Sequence, residues 1–281
     1  MFYQYFFGLH KAPFSLTPTT ALFYGLEPHY EAIQTVMSAV EMGEGIVKVT
    51  GEVGTGKTLV CRMLINQLKN QVNLIYLPNP VLTANELKQA VAHELSLSSE
   101  QESLHIVDAI HAKLLELNQN GQTVVALIDE AQALSDEAIE TLRLFGNLET
   151  EYRKLLQIVI FGQPELDERL AQHNLRQFRQ RITFSAQLRP LSLDETVAYI
   201  DYRIKECGGD KNIFNLHVKK AIWKATQGIP RMINQVCHKA LIMAFMEQKN
   251  QVENRHIYNA LQDTFDVKKP KYKLPYLWGW S

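Results

Sequence analysis

The chain has 281 residues, 46% hydrophobic and 21% charged, with a formal net charge of −1. This is the composition of a globular protein long enough for one large or two smaller domains, and the near-neutral balance excludes a globally basic nucleic-acid surface. Cys61, Cys207 and Cys237 lie far apart without metal-ligand spacing, and their odd number without a framework suggests a reducing compartment; Cys61 and Cys237, in helical patterns, read as small buried side chains. Met1 to Leu9 carries no basic segment and is too short for a secretory leader. No run reaches the roughly 18 apolar residues of a membrane helix, and a cytoplasmic location is expected.

Residues 1–26 hold Pro13, Pro18 and several aromatics, and read as an extended N-terminal arm. Its aromatics either pack on the core or, at Phe14 and Pro18, help to wall an adenine pocket. From Glu27 to Met42, Ala32, Ile33, Val36 and Val40 fall at helical spacing, and Gly43 and Gly45 stop the helix. Ile46 to Thr50 reads as a buried strand. It runs into Gly51-Glu52-Val53-Gly54-Thr55-Gly56-Lys57-Thr58, which fits the phosphate-loop pattern G-x-x-x-x-G-K-[ST] at every fixed position. A helix over Leu59 to Leu68 completes the strand–loop–helix context. The glycines let successive N–H groups point at one anion, and the helix start adds its positive dipole end. In this pattern Gly51 to Leu59 cradle the phosphates, Lys57 reaches the β- and γ-phosphates and the Thr58 hydroxyl ligates Mg²⁺.

Asn73 to Leu77 reads as a second strand. Thr83 caps a helix to about Leu95, with Glu86 as its capping-box partner. A further helix is expected from about Glu102 to Asn118. Thr123 to Ile128 is apolar throughout, as in a parallel strand covered on both faces, and ends in Asp129-Glu130. At the carboxyl end of such a strand this pair matches a Walker B motif, in which Asp129 holds Mg²⁺ through water and Glu130 polarises the attacking water. Ser135 caps a helix to Glu149. Leu155 to Phe161 is another buried strand, followed by Gln163, which is either a γ-phosphate sensor or a polar turn residue before Pro164. Arg176, Arg179 and Arg181 precede an alternating, edge-like strand, Thr183 to Leu188. They are either a solvated face or an arginine finger offered to a neighbouring subunit.

From Ser192 the period becomes helical, with apolar stripes at Leu193/Val197/Ile200/Ile204, Val218/Ala221/Ile222/Ala225, Ile233/Val236/Ala240/Ala244 and Ile257/Ala260/Leu261/Phe265. The expected organisation is an arm (1–26), an α/β nucleotide-binding domain (27–190), a helical lid (191–267) and a basic, aromatic tail (268–281). The tail is either a partly ordered end or a docking peptide. In Gly228-Ile229-Pro230-Arg231, Pro230 occupies its favoured first helical position. Arg231 falls in the first turn, where the dipole disfavours a cation; a nucleotide phosphate or a carboxylate would compensate it.

The loop, the Asp129-Glu130 strand end, Gln163, the arginines before the last strand and the Gly-x-Pro-Arg turn together resemble an AAA+ ATPase. The fold that this implies is a three-layer P-loop NTPase with a parallel sheet, followed by an all-α lid. Phe14-Ser15-Leu16-Thr17-Pro18, Asp129-Glu130-Ala131-Gln132 and Phe161-Gly162-Gln163-Pro164-Glu165-Leu166 resemble the ExeA/GspA group of secretion ATPases. Long members of that group continue into a membrane helix and a peptidoglycan-binding region. This chain ends at Ser281 without them, and so is most similar to the short branch tied to MSHA-type (type IV) pilus biogenesis. The resemblance implies ATP/ADP and Mg²⁺ as cofactors and hydrolysis carried by Glu130, Lys57, Gln163, Arg181 and Arg231, with metal ligands Thr58 and Asp129. Arg181, or else Arg179, would act in trans within a homo-oligomeric ring, for which a hexamer is the candidate. Asn79 is either a partner of the catalytic glutamate or a turn residue. Pilus or secretion assembly proteins at the inner membrane are the expected partners, with the protein cytoplasmic or peripheral to that membrane. A DNA-linked AAA+ ATPase and a non-catalytic nucleotide scaffold are the rival readings, although the sequence carries no strong nucleic-acid signal.

Overall fold

The structure, a computed structural model, describes residues 2–15, 22, 24–78, 80–97 and 105–271. Asn79, Pro18 and most of the tail therefore lie outside the described residues. The chain divides into two compact units, one formed by 27–53 and 57–188, the other by 1–26, 54–56 and 189–281.

In the first unit, five parallel strands, β1 (Ile46–Gly51), β2 (Asn73–Leu77), β3 (Val124–Ile128), β4 (Gln157–Gly162) and β5 (Ile182–Leu188), form one sheet in the order β2-β3-β4-β1-β5. Each crossover is helical: α3 (Lys57–Leu68), then α4 (Ala84–Glu94) and α5 (Ile106–Gln119), then α6 (Asp136–Gly146), then α7 (Pro164–Leu170) and α8 (Arg176–Arg179), with α2 (Glu27–Met42) leading into β1. The central strands are apolar on both faces because both are covered. Ile46, Ala126, Ile128, Ile158 and Ile160 share a core with α4 to α8. Val47, Val49, Val125, Leu127, Val159 and Phe161 alternate with them and are equally buried on the opposite face. β5 alternates in exposure, as an edge strand does. Thr83 caps α4 in a complete capping box with Glu86, and the Ser135 hydroxyl accepts from Ala138 N to start α6.

Gln157, at the start of β4, is buried, and its Nε2 donates to Val40 O at 3.1 Å, tying the end of α2 to the sheet.

The second unit is helical: α1 (Phe2–Phe6), α9 (Leu193–Lys205), α10 (Leu216–Thr226), α11 (Pro230–Met246) and α12 (Asn254–Gln262). The N-terminal segment is not extended throughout. Tyr3, Phe6 and Phe7 fall on one helical face, and their burial among residues of α9 to α12 favours a helical turn over an extended strand. Phe14 is fully buried, edge-on to Phe214 at 5.8 Å between centroids, so it is a core side chain rather than a ligand-pocket wall. Arg203 is buried too. Its guanidinium donates to Pro13 O and Leu22 O and lies over the Tyr199 ring, fastening the N-terminal segment to α9. The stripe of α9 is centred on Thr196, Tyr199, Ile200, Arg203 and Ile204, with Leu193 and Val197 only half-buried. Phe265, expected in the stripe of α12, is 85% exposed because the helix stops at Gln262.

Between α10 and α11, Gln227 and Gly228 both take positive φ, 51° and 75°. A Cβ on Gly228 would meet Leu191 O at 2.0 Å, while Leu191 N donates to Gly228 O at 2.9 Å. The close approach and the left-handed backbone both require glycine. Gly228→Ala is expected to destabilise the helical unit by about 3 kcal/mol or more, read as a lowered denaturation midpoint with an unchanged m-value. A midpoint within experimental error of the parent would refute this.

Candidate functional site

The strand order fixes the site. β4 lies between β1 and β3, so the carboxyl ends of the three strands deliver the glycine loop, Gln163 and Asp129-Glu130 to one edge of the sheet. Open parallel sheets bind ligands at that edge. Gly162 allows Gln163 to sit tight against α7, since a Cβ there would meet Leu166 Cδ2 at 2.4 Å.

Within the loop, Gly54 and Gly56 take φ of 85° and 108°, values that side chains rarely adopt. Gly51 and Thr55 are buried, Glu52 and Val53 exposed, and Leu59 half-buried. Lys57 opens α3 and is only 5% exposed, with Nζ donating to Gly51 O (2.6 Å) and Glu52 O (3.0 Å). Its ammonium is thereby held under the loop. Burial lowers the Lys57 pKa, and the nearby carboxylates of Glu130, Asp129, Glu52 and Glu165 oppose that shift.

Asp129 is 2% exposed, and burial raises its carboxyl above the usual range. Hydrogen bonds from the Thr58 hydroxyl and from Glu130 N (3.0 Å) work against this without removing it. Thr58 and Asp129 are therefore neighbours, a pair of hard oxygen donors in which the desolvated carboxylate gains most from a cation. Mg²⁺ is commonly held by so few protein oxygens, with water and phosphate completing its shell. The residues present fit that ion and a polyphosphate.

Glu130 has φ 54°, the left-handed region that few non-glycine residues occupy. It precedes a 3₁₀ turn, Ala131–Ala133, in which Ala133 N bonds to Glu130 O. Its carboxylate Oε2 receives Nε2 of Gln163 at 3.1 Å and Nε2 of Gln132. Gln132 Oε1 in turn accepts from Gln163 N at 3.1 Å. Arg169 braces the turn, donating to Gln132 O and Leu134 O (both 2.8 Å) and pairing with Asp136. Sequence reasoning assigned no role to Gln132, Arg169 or Asp136. The only signal was a glutamine two residues past the glutamate, and its meaning depends on the left-handed turn between them.

One expected residue, Arg181, lies at the opposite end of β1. Arg181 immediately precedes β5, whose Ile182 pairs with Ile46 at the start of β1. The glycine loop leaves the other end of β1, about 17 Å away at ~3.3 Å per residue, too far for Arg181 to reach its own loop. Arg181 and Arg179 are exposed; the Glu149 carboxyl is lowered chiefly by its hydrogen bond and ion pair with Lys154, with a smaller contribution from the charge of Arg181. Arg231 is the second residue of α11, after Pro230, and its N–H donates to Gly54 O at 3.2 Å within the helical unit's cluster.

Comparison with known proteins fits this arrangement. Residues 40–170 match the family model of an AAA domain. The fold is similar to Cdc6p from Pyrobaculum aerophilum (TM-score 0.68, 15% identity, 88% of this chain and 70% of that one). It is also similar to the RuvB branch migration motor of Thermotoga maritima (TM-score 0.58, 16% identity, 89% and 73%). This is the AAA+ P-loop fold. Over nearly the whole chain, General secretion pathway protein A of Aeromonas hydrophila is 38% identical across 268 residues, 95% of this chain and 49% of the relative. The chain thus spans about half the length of the curated relative it matches, and the ExeA/GspA resemblance read from the motifs has a relative aligned along both units. Among the described residues no helix is long and apolar enough to cross a membrane.

Proposed function

We propose that this chain is an AAA+ ATPase that binds and hydrolyses ATP with Mg²⁺ and drives assembly of a secretion machine or type IV pilus, most like the short MshM-type branch of the ExeA/GspA group. The gathering of Lys57, Thr58, Asp129, Glu130 and Gln163 at one sheet edge is the observation that carries this reading. Lys57 and the loop N–H groups from Gly51 to Leu59 hold the phosphates. Thr58 and Asp129 hold the metal. Bound there, Mg²⁺ would neutralise charge on the phosphates. Glu130 accepts a proton from, or orients, the attacking water, and Gln163 and Arg231 report on the γ-phosphate. Arg181 completes the site of a neighbouring copy, which makes the working form a ring.

The secretion part of this reading is supported by the relative at 38% identity, and the pilus part by the resemblance to the short branch of the group. Under this reading the protein works in the cytoplasm, peripheral to the inner membrane, with assembly proteins as partners. Capture of pilus or secretion components that depends on ATP and is lost in a Glu130→Gln protein would support it. Capture indifferent to nucleotide would count against it.

Binding is tested by removing the loop cation. Lys57→Ala loses charge-assisted hydrogen bonds to phosphate, each worth about 1.5–3 kcal/mol, so affinity for a fluorescent ATP analogue should fall by about ten- to a hundredfold. Equal affinity in parent and variant would sink the phosphate role.

A further inference from the structure

The proposed reaction needs Glu130 held where it can act on water, and the structure shows how its carboxylate is held. Gln163 N–H can only donate, so the Gln132 side-chain atom facing it at 3.1 Å must be the carbonyl oxygen, Oε1. This choice is forced, and it turns the Gln132 amide nitrogen towards Glu130 Oε2. The Gln163 side-chain amide reaches the same oxygen at 3.1 Å. Glu130, Gln132 and Gln163 therefore close a ring of three hydrogen bonds that joins the carboxyl end of β3 to that of β4. Both amide donors converge on Oε2, leaving Oε1 for a water. The backbone beneath Gln132 is fixed independently, since Arg169 binds Gln132 O and Leu134 O at 2.8 Å and pairs with Asp136. Glu130 keeps a left-handed backbone in the process. Strain of this kind persists where the surroundings over-determine it.

We propose that Gln132 is a positioning residue for the hydrolytic reaction: it fixes the rotamer of the Glu130 carboxylate and couples it to Gln163, so that the water-activating group and the γ-phosphate sensor move as one. The inference rests on the ATPase reading given above. Gln132 itself need touch neither nucleotide nor water. Turning the Gln163 side chain towards a γ-phosphate would draw its Nε2 from Glu130 Oε2 while its backbone N stays on Gln132 Oε1, leaving Gln132 to hold the carboxylate, which ties carboxylate placement to the presence of the third phosphate.

The test combines a readout independent of turnover with a kinetic one, on the full chain with Gln132→Ala, Gln132→Glu and Gln163→Ala. In nucleotide-free protein, exchange of the Gln163 backbone amide should quicken by about tenfold in Gln132→Ala, the loss of one net hydrogen bond. Gln132→Glu keeps the acceptor for Gln163 N–H but sets a second carboxylate against Glu130. It should preserve Gln163 protection while lowering kcat more than Gln132→Ala does. Gln132→Ala should lower kcat by about tenfold with KM within about twofold, the pattern of a lost transition-state contact. The double variant with Gln163→Ala should fall short of the sum of the two single effects, because the residues act as one unit. Unchanged Gln163 exchange in Gln132→Ala, a loss carried by KM, or strict additivity would overturn the proposal. If the parent protein hydrolyses no ATP but the Gln163 amide responds as described, the coupling stands and the ATPase reading is what fails.

Discussion

Glu130→Gln should reduce ATP turnover by about 10²–10³-fold while leaving nucleotide affinity within a few-fold of the parent. Removing a positioned general base commonly has an effect of this size. The substitution is nearly isosteric and keeps an oxygen that can accept from Gln132 and Gln163, so the turn and its left-handed residue have no cause to collapse. It removes the negative charge and the capacity to take a proton. Steady-state phosphate release, paired with binding of a fluorescent ATP analogue, separates the two effects. Turnover equal in parent and variant, measured at high protein concentration, would leave the site a nucleotide-binding scaffold. Lost binding would show that Glu130 acts through the loop rather than on water, since its charge also bears on Lys57.

Arg181→Ala should lower turnover by about 10³–10⁵-fold if the guanidinium acts as a finger. Geometry makes this a test of assembly as well as chemistry. The residue sits at the amino end of the sheet, on the far side of β1 from its own loop, so any help it gives to hydrolysis goes to another copy. Two inactive proteins should therefore restore activity when mixed. The Arg181→Ala subunit retains Glu130, the Glu130→Gln subunit retains Arg181, and at their contact one complete site is formed. Activity of the mixture above the sum of its parts, rising with concentration, is the expected outcome. A mixture no better than its components would remove Arg181 from the mechanism, and the same experiment on Arg179 then decides between neighbours.

Much of this architecture was legible in the residues because local and long-range preferences agree. Glu27–Met42 and Asn73–Leu77 have the bounds that periodicity gives, and the Thr83 and Ser135 caps are where hydroxyl chemistry places them. Parallel pairing followed from strands such as Val124–Ile128 that are apolar on both faces. The N-terminal helix was not legible, since Phe2–Phe6 is too short to reveal a period and gains its conformation from tertiary packing of Tyr3, Phe6 and Phe7. Phe265 was misjudged for a related reason: the apolar spacing continues past Gln262, but the helix does not. In the site, glycines, a lysine and paired acids announce themselves by spacing. The Glu130–Gln132–Gln163 ring does not, because it closes across 31 residues of sequence between Gln132 and Gln163 and depends on one unusual φ.

The core shared by Tyr3, Phe7 and Phe14 with Ile200, Phe214 and Ile233 has a consequence for biosynthesis. These aromatics are synthesised well before the helices of their unit, which apart from Gly54–Gly56 resumes at Arg189. At 5–20 residues per second, these aromatics wait roughly 10–50 s for their partners, while the sheet that interrupts the unit can fold by itself. Through that interval the nascent chain carries an unsatisfied apolar segment ahead of a finished domain. Exposed apolar surface of this kind is what chaperones exist to cover.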